Sequence, residues 1–156
     1  MVVKEKILPL ERKNFVPVFY QMISSRVFEI NPLLDKIMHV VKQVPFAPSE
    51  EEDIRLAVYE ALANAVIHGN ASDPEKEVAV ACFFESNNCE NLVIVVRDEG
   101  SGFDPDSIPD PRSGQGLYSS HGRGIYFMRQ LMDEVAYLDG GREVELRKRL
   151  CRPRAS

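Results

Sequence analysis

EALANAVIHGN, Glu60 to Asn70, is the stretch on which the reading of this chain turns. It reads as the end of a helix. Glu60 and Asn64 stand four residues apart and share one face of it. At about 100° per residue, Glu60, Asn64 and His68 form a narrow polar stripe. Leu56, Val58, Ala61, Leu62, Ala65, Val66 and Ile67 fill nearly all the rest of the circumference. A helix apolar over most of its surface is expected to be buried. A carboxylate and an amide carried into that interior need partners, because an unpaired buried amide costs about 1–3 kcal/mol and a charge costs more. A ligand, with a metal ion, is the economical partner.

Two further stretches complete a pocket. VIVVRDEGSGF, Val93 to Phe103, is a strand running into an acid and two glycines. Asp98 at the strand end can accept a hydrogen bond from an exocyclic amine such as that of adenine, and Gly100 and Gly102 let the backbone approach a flat ring. SSHGRGIYFMRQLMDEV, Ser119 to Val135, is two glycines followed by an amphipathic helix. Gly122 and Gly124 are expected to present backbone N–H groups to a phosphate at the positive end of the helix dipole, with His121 and Arg123 as added donors. Asn64 offers a hard oxygen to Mg²⁺, and Glu60, one turn earlier, could orient or deprotonate a hydroxyl or water near the γ-phosphate. Taken singly, each has a plainer explanation: a strand-to-loop turn, a hinge before a helix, or a Glu–Arg pair beside a capping Asn. His68 reads as structural.

Composition narrows the classes. At 156 residues the chain can build one domain with a proper core, and 44% hydrophobic with 28% charged residues is ordinary for a soluble globule. A net charge of -5 gives no general reason to expect nucleic acid. The basic run Arg147, Lys148, Arg149, Arg152 and Arg154 reads as a solvated strand end and disordered tail. Cys82, Cys89 and Cys151 are odd in number and form no CxxC pair, which favours reduced thiols in a cytoplasmic setting over a zinc site. No apolar run approaches the roughly 18 residues of a membrane span, and no signal peptide pattern is present.

In chain order, residues 1–25 read as an extension of uncertain structure, residues 26–150 as one domain, and residues 151–156 as a basic tail. Lys6 to Leu10 suggests a short strand, Asn14 to Ile23 a short helix with Pro17 near its start, and Arg26 to Ile30 an edge strand. A helix is predicted from Pro32 to Gln43, capped by Asn31. The next is predicted to open at Ser49 with Glu52 closing a capping box, and to end at Gly69. Glu77 to Glu85 and Asn91 to Asp98 read as a hairpin turning at Ser86 to Glu90, its second arm central in a sheet. Glu99 to Ser120 is a loop of the unusual length found in lids or disordered segments. A helix from Arg123 to Asp133 precedes a last hairpin, Glu134–Leu138 and Glu143–Arg149, around Asp139-Gly140-Gly141. The pattern is α+β: a two-layer sandwich with a mostly antiparallel sheet covered by helices on one face.

The three stretches, in order and placement, resemble the N, G1 and G2 boxes of the Bergerat-fold ATPases. Within that superfamily the chain is most similar to the anti-sigma factor serine/threonine kinases. EALANAVIHGN is similar to their ExxxNAxxHG box, RDEGSGFDPDSIPD to DxGxGFDP, HGRGIYFMRQLMDEV to GxGLxLxxxLMDEV, and GREVELRK to GTxVxLxK, across roughly Arg26 to Lys148. The resemblance implies ATP and Mg²⁺ as cofactors. It makes Glu60 the general base, Asn64 the Mg²⁺ ligand, and Asp98 the reader of adenine beside Gly100 and Gly102. Gly122, Arg123 and Gly124 would hold the phosphates, with Phe103 to Ser120 as the ATP lid. It further implies two mutually exclusive partners, a sigma factor held inactive and an antagonist domain phosphorylated on serine, and a homodimer. Arg142 stands where the family usually carries threonine near the adenine, and Ile125 replaces a leucine.

Three other readings compete. A nucleotide-dependent binding module would sequester a partner and transfer nothing. A catalytic domain of a histidine kinase needs a helical segment with an acceptor histidine, and none is read before the domain. A clamp of the gyrase or MutL type needs a second domain and fits a net-acidic chain poorly.

Overall fold

The computed structural model describes residues 14–87, 89–107 and 120–150. Five strands form one sheet in the order β1-β2-β3-β5-β4, with every neighbouring pair antiparallel. The strands are β1 (Phe15–Ser24), β2 (Glu77–Asn87), β3 (Cys89–Arg97), β4 (Glu134–Leu138) and β5 (Glu143–Leu150). Three α-helices, α1 (Ile30–Val41), α2 (Pro48–Ala63) and α3 (Ser120–Leu131), cover one face. The α+β two-layer architecture and the central position of β3 agree with the sequence pattern.

The first strand corrects the sequence reading. Asn14 to Ile23 was expected as a helix, but Phe15–Ser24 is a strand, and Val16, Phe19, Tyr20 and Ile23 are β-branched or aromatic types that suit a pleated surface. Pro17 is tolerated because β1 is an edge strand, and the register slips between Pro17 and Phe19. The segment read as an extension thus supplies a strand of the sheet. Arg26 to Ile30, expected as the edge strand, is instead a 3-10 turn leading into α1. Its Val27 and Phe28 are exposed, so their alternation marks no sheet face.

Helix α2 starts one residue earlier than predicted. Pro48 takes the first helical position and Glu50, not Glu52, closes on the Ala47 N–H at 2.8 Å. Alanine has no acceptor to return, so only that half of a capping box forms. At the other end of the chain, the basic run is partly engaged. Arg147 pairs with Glu85 at 2.6 Å and Glu134 at 2.7 Å, and the Lys148 ammonium donates to the carbonyl of Leu131 at 2.7 Å, capping α3. Arg152 and Arg154, the expected strand from Lys6 to Leu10 and most of the expected lid lie outside the described residues.

The main core lies between helices and sheet. Ile37, Ile54, Val58, Leu62 and Val66 are fully buried against Val80, Leu92, Ile94 and Leu146. On the opposite face Ala79, Ala81, Phe83, Val93 and Val95 form a second buried cluster, with Phe15 edge-on to Phe83 at 5.9 Å. The near-continuous apolar run of β3 follows from burial on both faces. Among the described residues no helix is long and apolar enough to cross a membrane.

Candidate functional site

The end of α2 is not a regular helix. From Asn64 to Gly69 the coil widens into a π turn, and the Asn70 N–H bonds to Ala65 O at 2.9 Å, five residues back. Such turns cost regular helical pairing and often stand at functional sites. Glu60 and Asn64 are half-buried, and Asn64 Nδ2 is buried with no partner among the described residues. The helix is less enclosed than its composition suggested. Leu56 and Ile67 are 47% and 43% exposed, so the apolar circumference overstates burial.

Helix α3 lies across this region. A methyl group at Gly124 would stand 2.9 Å from Glu60 Oε2 and 3.2 Å from Asn64 Nδ2. Glycine is thus what allows the two helices to close over the carboxylate and the amide. The predicted role of Gly124 changes with this geometry. The helix begins at Ser120, not at the glycines, and only about the first four N–H groups of a helix lack an intrahelical partner. His121, Gly122 and Arg123 lie in the first turn of the helix as described; Gly124 is its fifth residue, its N–H falls beyond that set, and it acts by its small size. Arg123 is exposed.

The other end of the site is built where β3 ends. Asp98 is buried, accepts the Gly100 N–H at Oδ1 (2.8 Å), and donates its own N–H to Arg142 O at 2.9 Å. Burial pushes its carboxyl above the usual range, opposed by the Gly100 N–H and the charges of Arg142, Arg97 and Lys76. The two glycines that follow were expected beside a flat ring. Gly100 instead packs on backbone: a Cβ there would meet Gly69 O at 1.9 Å. Gly102, at φ +80°, abuts the Gly140 carbonyl, and Phe103 donates to that same carbonyl at 2.8 Å. The loop after β3 is zipped onto the turn between β4 and β5.

Between these ends opens a cavity of about 160 Å³. Asn64, Asp98, Gly102, Phe103, Tyr137 and Arg142 are among its walls, and His68 stands exposed at its rim. Phe103 and Tyr137 meet edge-to-face at 5.1 Å, giving an apolar wall with a carboxylate on its floor. The structure therefore brings Glu60, Asn64 and Gly124 together, and separately Asp98, Gly100 and Gly102. Among the described residues no cluster of His, Cys, Asp or Glu could hold a metal ion unaided.

Asn70 was missed as more than a loop residue. It is fully buried, its amide donates to Ser25 Oγ at 2.8 Å and Glu77 O at 3.0 Å, and its Oδ1 accepts the Glu99 N–H at 2.8 Å. One side chain thereby ties the end of α2 to β1, β2 and the residue after Asp98. An asparagine directly after the helix-ending glycine was the only sequence signal for it.

Comparison with known proteins agrees with this geometry. Residues 23–148 match the family described as Histidine kinase-like ATPase domain. The chain is 36% identical over 126 residues to the serine-protein kinase RsbW of Bacillus licheniformis, covering 74% of each chain. It is 32% identical over 121 residues to the anti-sigma F factor of Geobacillus stearothermophilus, covering 71% of this chain and 77% of that one. A further anti-sigma F factor, from Geobacillus kaustophilus, is 31% identical over 155 residues, 93% of this chain and 89% of its own. The chain belongs to the histidine kinase-like ATPase family. Within it, the chain is a member of the anti-sigma serine-protein kinase branch.

The residues present fit an ATP-class ligand. An acid floors an apolar slot at one end, and a buried amide with no partner among the described residues stands at the other, near the first turn of α3. Asn64 can turn its amide oxygen outward, which suits a Mg²⁺ ion that takes its remaining oxygens from phosphate and water.

Proposed function

We propose that this protein transfers the γ-phosphoryl group of ATP to a serine of an antagonist protein, and that in the alternative state it sequesters a sigma factor. The observation that carries the reading is the close approach of Gly124 to Glu60 and Asn64, Asn64 also lining the cavity that holds Asp98. Adenine would lie against Phe103 and Tyr137 with its amine toward Asp98. The triphosphate would then run toward the first turn of α3, where the N–H groups of His121, Gly122 and Arg123 would hold it. Asn64 would hold Mg²⁺, which when bound supplies charge neutralisation for the phosphates. Glu60, one turn back, would orient or take the proton of an incoming serine hydroxyl. Phosphoryl transfer depends mainly on positioning and electrostatics, which these residues provide.

A two-partner switch of this kind suits a homodimer, in which each copy offers one docking face. Relatives named as an anti-sigma F factor and as a serine-protein kinase support the pairing of the two roles. The test uses the protein with Mg-ATP and partners captured from its native lysate, each weighed intact, with Glu60→Ala alongside. A phosphate gained on serine with wild type alone is the expected result. Partner capture with no mass change in either sample would leave a sequestering module and refute the kinase reading. An acid-labile phosphate on histidine would refute it in favour of histidine-kinase chemistry.

A further inference from the structure

Arg142 does something at the base end of the cleft that the site described so far leaves unexplained. It occupies the first position after the turn Asp139–Gly141, with its side chain about one-third exposed. Its Nε donates to the carbonyl of Gly100 at 2.9 Å and one terminal nitrogen to that of Ser101 at 3.3 Å. The other terminal nitrogen donates back to the carbonyl of Asp139 at 2.9 Å. Three carbonyls on two separate loops are thus held by one planar fork. Its backbone carbonyl, in turn, accepts the N–H of Asp98. The residue therefore holds the backbone of Asp98, Gly100 and Ser101 while forming part of the cavity wall.

We infer that Arg142 is a positioning residue for the nucleotide base: its guanidinium clamps the Gly100–Ser101 segment to the β4–β5 turn so that Asp98 and the ring slot are set before ligand arrives. The inference rests on the nucleotide reading of this cavity and adds a determinant of affinity and base choice. A loop fixed in its binding geometry loses less freedom on binding, which raises affinity without a direct contact. Arginine suits this and lysine does not, because only the planar fork reaches three carbonyls at once. The clamp also sets charge. Asp98 faces Arg142 from the turn, Arg97 on its own strand and Lys76 before β2, with His68 across the cavity. Arg97 is held by Asp139 and Glu143, and Asp139 also lies 3.8 Å from Arg142, so the two arginines share one acid at this turn.

The test compares wild type, Arg142→Ala and Arg142→Lys by calorimetric titration with ATP and with GTP from pH 5 to 8. Amide hydrogen exchange of the ligand-free proteins is read in parallel. In Arg142→Ala, ATP binding should weaken about tenfold or more and the preference for ATP over GTP should shrink. Gly102 and Phe103 amides should exchange faster, and the acid limb of ATP binding should move to higher pH. Arg142→Lys should restore the acid limb but not the affinity, separating charge from clamping. If wild type binds ATP and Arg142→Ala matches it in affinity, base preference and exchange, the role of Arg142 is refuted. If wild type binds neither nucleotide, the nucleotide reading fails, and the inference with it.

Discussion

At the Asp98 end of the cleft, polar groups are tied to other protein groups; at the Glu60 end, the buried amide of Asn64 has no partner among the described residues. Asp98 is bonded through both backbone and side chain, Phe103 to Gly140, and Asn70 to three partners. Across the cavity, Asn64 Nδ2 is buried beside Gly124 with no partner among the described residues. The base end is complete before a ligand binds, whereas the phosphate end holds an unmet bond. An unsatisfied buried amide costs about 1–3 kcal/mol, so the fold carries that penalty for a ligand to relieve. Rigid recognition and labile chemistry are thereby placed on different elements: strand ends and turns for one, the facing ends of α2 and α3 for the other.

The largest expected effect breaks the reactive end. Glu60→Ala should lower serine phosphorylation by about 10²–10⁴-fold while ATP binding persists, since a positioned base acts in the transition state. Rates and affinities measured on one preparation decide this; equal loss of both would make Glu60 a structural carboxylate. Gly124→Ala sharpens the same point. The added methyl meets the far end of a flexible glutamate, so the fold should survive, while the displaced carboxylate should cost transfer about tenfold or more. Unchanged turnover in that variant would separate Gly124 from the chemistry.

The base end should fail as a fold rather than as a catalyst. Asn70→Ala empties a fully buried position and removes three hydrogen bonds, leaving the Glu99 N–H and the Glu77 carbonyl without this partner while the Ser25 hydroxyl keeps its bond to Lys76 O. A loss of about 2–4 kcal/mol in denaturant unfolding is expected. A loss below about 1 kcal/mol would mean that water replaces the side chain, and that this end is less finished than its bonds suggest.

These two ends were not equally legible in the sequence. Glu60, Asn64 and Asp98 stood out because a polar residue inside an apolar pattern has few cheap explanations. The β2–β3 and β4–β5 hairpins were readable from alternation and from Asp139-Gly140-Gly141. What was hidden is tertiary. Asn14 to Ile23 looked helical because nothing local shows that β2 offers it an edge, and Val27 and Phe28 looked like a strand although both point to solvent. The reasons for the glycines were likewise hidden. Gly100 faces Gly69, Gly102 faces Gly140 and Gly124 faces Glu60, each contact made by residues far apart in the chain. A sequence shows that a glycine is permitted; only packing shows what it makes room for.

The smallest effect sharpens the comparison most, because it sets function against stability in one residue. Asp98 has its folded carboxyl pushed above the usual range by burial, more than Gly100, Arg142, Arg97 and Lys76 pull it down. A carboxyl raised on folding binds its proton more tightly in the native state. It therefore favours the fold at low pH and costs stability as pH rises through the raised value. Asp98→Asn should remove that cost. Its unfolding midpoint at neutral pH should lie slightly above that of wild type, and the gap should close as pH falls into the carboxylate range. The same substitution should weaken ATP binding about 10- to 100-fold, since a charged acceptor is replaced by an amide. Thermal scans at several pH values, run beside titrations with ATP, read both effects. A variant that loses affinity and stability together would show that Asp98 is held for the fold. A variant that gains one and loses the other would show a charge kept at the base end for the ligand alone.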